Sequence, residues 1–409
     1  MPATSLDAPL AGTAIKPERL VSLDVFRGLT VALMLLVNDP GTWSDIYWPL
    51  RHAKWHGWTP TDLVFPFFLF MVGITTHLSL GQRRARGDGD GALARQILRR
   101  GLILFALGLF LNGFPGYAPA WSGHPGMGDR VVERLLTWRI PGVLQRIALC
   151  YTAAGLLSLR LGAKGQGALA VLLMLGYWAV MTGVPVPGTG ETGLAALAHP
   201  GATVAAAVDR VLFNWGPWGN HLWASGKTWD PEGALSTLPA IATVLWGLLA
   251  GRWLARPLPL PVRIRGLIVA GVAGVILGEV WDLVFPINKS LWTSSFVALT
   301  AGMACLCLAA VLWGVEVRGW RRWTRPALVF GVNPILAYVG SELMAIIIGG
   351  VITLPWDHRV APLQDVIYEA VFYPLLPEKA ASLAFALVFV GLWWAILEVL
   401  YRRRIFLKV

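Results

Sequence analysis

Residues 290–315 read SLWTSSFVALTAGMACLCLAAVLWGV, and this stretch decides the fold class. It carries no Asp, Glu, Lys or Arg over 26 residues. An α-helix needs roughly 20 apolar residues to cross the hydrocarbon core of a bilayer. Four more stretches are equally free of charge: Leu63–Leu80, Gly165–Val186, Ala234–Gly251 and Ala380–Leu397. Another five are apolar but interrupted. They are Val21–Asn38 (with Asp24 and Arg27), Ile97–Gly113, Pro141–Leu161 (with Arg146), Ile264–Trp281 (with Glu279) and Pro326–Ile348 (with Glu342). The expected fold is therefore all-α and polytopic, with about ten transmembrane helices. A short piece at Leu363–Leu376 makes eleven the alternative count.

Composition agrees. Only 14% of the 409 residues are charged, against about 25% in soluble domains, and 56% are hydrophobic. Mean hydropathy is +0.60. A water-soluble globule cannot hide that much apolar surface. A soluble enzyme, a disordered chain and a nucleic-acid binder are excluded. The net charge of +11 is then a question of sidedness. Of the 34 Lys and Arg, 22 fall in the N-terminal tail, 81–100, 160–165, 252–265, 316–325 and 402–409; 10 fall in the opposite connections. The positive-inside rule puts both termini in the cytoplasm. Residues 1–18 show no signal-peptide pattern and are expected to be a mobile cytoplasmic tail; 19–409 are expected to form one transmembrane domain. Cys150, Cys305 and Cys307 all lie in apolar stretches, which is no disulfide framework and no zinc pattern.

Ionisable residues in membrane helices are costly and usually kept for a purpose. Asp24 and Arg27 share a helix face, either as a local ion pair or as a site for an anionic ligand. Arg146 lies too deep for a surface charge. It suits a phosphate or carboxylate, or else pairs with Glu342 or Glu279. His77, deep in the second helix, reads as a packing residue.

The densest polar cluster joins the first two helices: Asn38, Asp39, Arg51, His52, Lys54, His56, Thr59, Thr61 and Asp62, set among tryptophans. Asp62 or Thr61 can cap the second helix, which offers a purely architectural reading. His52 and His56 share a face if that piece is helical. Two histidines fall short of a zinc site, and no metal is expected. A His beside Asp and Asn suits acid/base or acyl-transfer chemistry. Three smaller clusters follow: Asp230-Pro-Glu232-Gly, Asn288-Lys289-Ser290 through Ser294, and Gly331-Val-Asn333-Pro334. Asp230 and Glu232 can cap a helix or bind a cationic, hydroxyl-rich ligand.

In this order the clusters resemble the heparan-α-glucosaminide N-acetyltransferase family of transmembrane acetyltransferases. The resemblance runs through Arg-Leu-Val-Ser-Leu-Asp-Val-Phe-Arg-Gly at 19–28, His52-Ala-Lys-Trp-His-Gly with Asp62-Leu-Val-Phe-Pro, and Pro141-Gly-Val-Leu-Gln-Arg. Asp230-Pro-Glu-Gly, Asn288-Lys-Ser-Leu-Trp, Gly331-Val-Asn and a final Leu-Tyr-Arg-Arg-Arg-Ile-Phe-Leu-Lys complete it.

The resemblance implies an enzyme that takes the acetyl group of cytosolic acetyl-CoA to an amino-sugar amine across the membrane. For this chain it implies the bacterial inner membrane and a periplasmic glucosamine-type acceptor, with a link to N-acetylglucosamine utilisation. The family's active-site His matches His52, and its partner Asn matches Asn38. His52 is then a general base, or carries the acetyl group itself, with Asp62 or Asp39 orienting its ring. Asn38 donates to the developing oxyanion. Arg27 and Arg146, with Asn288, Lys289, Ser294 and Asn333, are expected at the acetyl-CoA donor. Asp39, Asp230 and Glu232 are expected at the acceptor. Partners are the donor, the acceptor sugar and the lipid bilayer, with no nucleic acid; a homodimer is carried over by analogy alone. The alternatives are an O-acetyltransferase of cell-envelope glycans and a sugar transporter without chemistry.

Overall fold

A computed structural model describes residues 20–114 and 127–407. The predicted tail at 1–18 lies outside them. The elements are α1 Val21–Asn38, α2 Val64–Arg84, α3 Asp90–Gly113, α4 Met127–Leu136, α5 Val143–Arg160, α6 Ala163–Gly183 and α7 Val204–Phe213. Then come α8 Thr237–Leu254, α9 Leu260–Asp282, α10 Ser294–Leu312, α11 Thr324–Val332 and α12 Pro334–Ile346. A hairpin of β1 Thr353–Trp356 and β2 Arg359–Pro362, the short α13 Leu363–Ile367 and α14 Glu378–Arg402 follow.

The fold is the all-α membrane bundle expected. Eight of the described helical runs are long and apolar enough to cross a membrane, against the ten expected. The remaining two predicted spans do form helices, α3 and α5, and these pack along each other. Arg95, Arg99 and Arg100 in α3, and Gln145 and Arg146 in α5, dilute their apolar character. The predicted span 326–348 is broken between α11 and α12. Pro334 has no N–H to continue the helix, and Asn333 takes non-helical backbone there. The eleventh candidate, 363–376, is only a short helix running into a wide turn.

Small residues set the closest helix crossings, as is usual in membrane bundles. On α2 a Cβ added to Gly73 would lie 2.2 Å from the Val244 carbonyl oxygen, and one on Gly247 of α8 would lie 2.1 Å from that of Phe70. These backbones touch, so no larger residue fits either position. Gly271 and Gly274 of α9 pack on Gly302 of α10. These glycines are used for packing inside the bundle. The largest apolar core joins Leu69 of α2, Ile147 of α5, Leu245 of α8 and Phe296 of α10.

The ends of the bundle differ in character. At one end the Ser22 amide donates to Glu316, and Arg325 pairs with Glu398. The Asn333 side chain there donates to the Ile405 carbonyl at 3.0 Å and accepts from the Leu407 amide at 2.9 Å. At the other end α1 finishes at Asn38, and the chain runs through the irregular 39–59 connection before α2.

Candidate active site

The 39–59 connection has almost no regular structure, so its shape rests on side chains. The central one is Asp62. It follows Pro60 in a single 3-10 turn ahead of α2, and its side chain is 1% exposed. Asp62 Oδ2 accepts from the amides of Ala53 (3.1 Å) and Thr59 (3.0 Å) and from the Thr59 hydroxyl (3.1 Å). Thr59 and Asp62 thus form a reciprocal capping box. Thr59 caps this 3-10 turn, and the N-cap position of α2 itself is Leu63, neither Asp62 nor Thr61 as the sequence suggested. Thr61 instead donates to the Pro49 carbonyl.

With Oδ2 holding the loop, Oδ1 is left for His52, whose Nδ1 lies 2.7 Å away. A carboxylate only accepts, so this contact calls for a proton on Nδ1. Lys289, from the turn before α10, brings Nζ to 3.0 Å from Nδ1 and 3.3 Å from Nε2, and 3.7 Å from Asp62 Oδ1. Burial pushes the Lys289 ammonium below its ordinary range, although Asp62 and Glu232 pull it back. His56 does not share a helical face with His52, because residues 52–59 are not helical. Its Nδ1 faces the Asn288 amide at 3.5 Å, and burial pushes its pKa down.

His52, Asp62 and Lys289 line a cavity of about 400 Å³, together with Asn38, Glu232 and Arg139. Trp55, Trp223, Trp229 and Trp292 supply aromatic surface. Asn38 Nδ2 lies 3.3 Å from Glu342 Oε1 of α12. The cavity lining also includes Arg139, which the sequence reading did not single out. It pairs with both oxygens of Asp230 (2.8 and 2.6 Å) and with Glu232 (2.5 Å). Burial alone would favour losing the Arg139 proton, but the two carboxylates hold it firmly charged. Against burial, Arg139, Arg146 and Lys289 keep Glu232 below its usual range. Asp230 is 3% exposed and committed to Arg139, whereas Glu232 also faces the cavity.

A second, narrow cavity of about 70 Å³ lies deeper in the bundle. It is lined by Arg27, Thr75, Thr76, Arg100, Tyr151 and Tyr338 among others. The two cavities share Met34 and Val143 as a common wall. Arg27 pairs with Asp24, and the Arg100 guanidinium stacks 5.2 Å from the Tyr151 ring centre. In the sequence Arg100 falls both in the basic 81–100 stretch and at the start of the predicted span Ile97–Gly113; the structure places it in α3. Arg27 therefore stands 11 residues, roughly 17 Å of helix, from the Asn38 end of α1, and Arg100 lines the same cavity.

The other expected donor residues lie elsewhere. Arg146, 1% exposed, lines neither cavity; it donates to the Gly233 carbonyl at 3.2 Å and to Ser236, with its guanidinium 5.1 Å from the Trp292 ring centre. It pairs with neither Glu342 nor Glu279. Asn288 Oδ1 accepts from the Leu291 amide, and Ser294 donates to the Met174 carbonyl. Asn333 sits at the far end of the bundle with the C-terminal segment. Asp39 is buried, which pushes its carboxyl well up, helped by Glu342.

The chain is 30% identical to the heparan-alpha-glucosaminide N-acetyltransferase of Homo sapiens over 435 residues, covering 96% of this chain and 60% of the relative. It is 29% identical to the Mus musculus protein of that name, covering 96% and 61%. The chain thus spans about three fifths of the length of these curated relatives. No protein-family model matches it. The family-level resemblance expected from the motifs holds over nearly the whole chain.

Proposed function

We propose that this chain, a relative of the heparan-alpha-glucosaminide N-acetyltransferases over almost its entire length, is a transmembrane acetyl-CoA-dependent N-acetyltransferase of glucosamine-type sugars. The observation that carries the reading is the pair of abutting cavities. One holds a His–Asp dyad at one end of the bundle; the other leads from Met34 and Val143 towards Arg27 and Arg100. A donor with a charged nucleotide and a long, thin arm ending in a thioester matches that layout. Arginines suit its phosphates. The charge distribution favours a cytoplasmic position for the Arg27 end and the opposite side for His52; a bacterial inner membrane with His52 in the periplasm is what the resemblance implies.

In the reaction the acceptor nitrogen attacks the thioester carbon, the carbon–sulfur bond breaks, and the products are an amide and the free thiol of CoA. His52 Nε2 takes the proton that the amine loses and passes it to the departing sulfur. Asp62 holds the ring in the tautomer this needs. Asn38 and Lys289 stand where negative charge develops on the thioester oxygen; one such donor is typically worth about 3 kcal/mol. Glu232 and the tryptophans of the cavity receive the sugar, while Asp230 and Arg139 hold Glu232 in place.

The test is to give the detergent-solubilised protein acetyl-CoA with glucosamine and small glucosaminides, following thiol release and product mass. An amide heavier by one acetyl group, lost in His52→Ala, supports the reading. A base-labile ester product would make it an O-acetyltransferase, and an unaltered sugar that crosses vesicles would make it a transporter. Acetylated His52 trapped without acceptor would replace direct transfer by a two-step route.

A further inference from the structure

Consecutive helices α8 and α9 diverge. α9 packs along α10 and meets α8 only sparingly. The cause sits next to their connection: the Trp253 ring lies on Gly266, where an added Cβ would come within 2.3 Å of it. The Trp253 indole donates to the Arg263 carbonyl at 2.9 Å, which pins the wedge. Beyond the wedge a cavity of about 470 Å³ remains between α8, α9 and α10.

Its walls are carbon: Trp246, Leu249, Ala270, Ala273, Leu277 and Ala301 stand for the rest. The Trp246 indole N–H is turned to Met174 Sδ at 3.4 Å. Water needs polar partners, so such a space does not fill with water. An empty space this large would forfeit packing. It also lies at the perimeter of the bundle: α9 is among the least buried spans, with Val269 69% and Ile276 57% exposed. From Gly266 to Leu277 the cleft follows α9 for roughly 17 Å. That is about half a hydrocarbon core of ~30 Å, the depth of one leaflet.

Charge identifies the head end. Residues 252–265 contain Arg252, Arg256, Arg263 and Arg265 and no acid. Arg263 is committed to the Leu254 carbonyl. Arg256 stacks 4.8 Å from the Trp253 ring centre, beside the wedge, and is exposed. Among the described residues, Arg252 Nε is buried without a hydrogen-bond partner. We propose that this cleft is a binding site for an anionic glycerophospholipid, one acyl chain lying between α8 and α9 and the phosphate held by Arg252 and Arg256. Guanidinium groups match phosphate oxygens in geometry as well as in charge.

The test is native mass spectrometry of the full-length protein, released from detergent after exchange into phosphatidylglycerol or phosphatidylcholine of equal chain length. The wild type should retain one phosphatidylglycerol and release phosphatidylcholine. Ala270→Phe, which fills the cleft from its lipid-facing side, and Arg256→Gln, at the surface, should each lower retention about tenfold. Arg322→Gln, in another basic connection, should leave it unchanged. Equal retention of the two lipids, or wild-type retention in either Ala270→Phe or Arg256→Gln, would overturn the proposal. Arg256→Gln lies outside the packed bundle, so a folding failure of the cleft-filling variant does not remove the test.

Discussion

Asn38 Nδ2 stands 3.3 Å from Glu342 Oε1, so the last residue of α1 is oriented by a side chain from α12, 304 positions away. One amide hydrogen is engaged there, and the other stays available to the cavity that Asn38 lines. Glu342→Ala should free the amide to rotate. We expect kcat to fall about tenfold, the cost of a misaimed oxyanion donor, with the KM for acetyl-CoA little changed. Glu342→Gln keeps an acceptor oxygen and should restore most of the loss. Steady-state kinetics of the two variants decide it; equal loss in both would point to charge rather than aim.

Asp62→Asn separates loop architecture from chemistry. An amide oxygen in the place of Oδ2 still accepts from Ala53 and Thr59. The amide nitrogen then faces His52 Nδ1, which must give up its proton and move it to Nε2. A base with its lone pair on the wrong side should lose about 10²- to 10⁴-fold in kcat. Thermal stability should change far less. Wild-type turnover in this variant would remove the dyad from the mechanism.

The common wall at Met34 and Val143 predicts a dependence on donor length. Met34→Trp should cut activity with acetyl-CoA at least tenfold. A truncated acetyl thioester without the nucleotide, supplied in excess to the His52 cavity, should be used by the variant as well as by the wild type. Equal losses with both donors would mean that the substitution damages the site rather than the path.

Asp209 of α7 predicts a pH effect on stability. It is 2% exposed, and Oδ1 accepts from the Ala234 amide at 2.9 Å, which shapes the turn carrying Glu232. Burial pushes its carboxyl from an ordinary 3.8 up to about 6. Below pH 4 the group is protonated whether the chain is folded or not, and its contribution is fully present. Between about 4 and 6 the folded chain holds a proton that the unfolded chain has released, so the contribution is lost as pH rises through that window. Asp209→Asn removes the titration. Its melting temperature relative to wild type should therefore rise between pH 4.5 and 7; a constant difference would refute the assignment.

What could be read in advance follows the range of the forces involved. The spans were legible because exclusion of charge from hydrocarbon acts on each helix separately. The break at Asn333–Pro334 has a local cause, a missing N–H, although 326–348 is apolar enough to read as one span. Ring-to-carboxylate contact between His52 and Asp62 has no periodic signature, since residues 53–59 between them follow no regular structure; there the family resemblance carried the expectation. Arginine roles were the hardest to anticipate. Arg146 sits in an apolar helix and drew attention, yet its guanidinium ties the Gly233–Ser236 turn to α5. Arg139, just before Pro141 and 91 positions ahead of Asp230, lines the cavity. Nothing local distinguishes the two, because their partners are set by tertiary packing.

The Met34–Val143 wall has a bioenergetic side. The His52 cavity and the mostly apolar one that reaches Arg27 and Arg100 would, if joined by water, form a wire for protons and small ions. The thioether and isopropyl groups of their shared wall offer no hydrogen bonds to such a wire. An unbranched, pliable methionine can yield to a slender chain of methylene and amide groups and close behind it. The membrane gradient would then stay insulated while a reactive acyl group passes through.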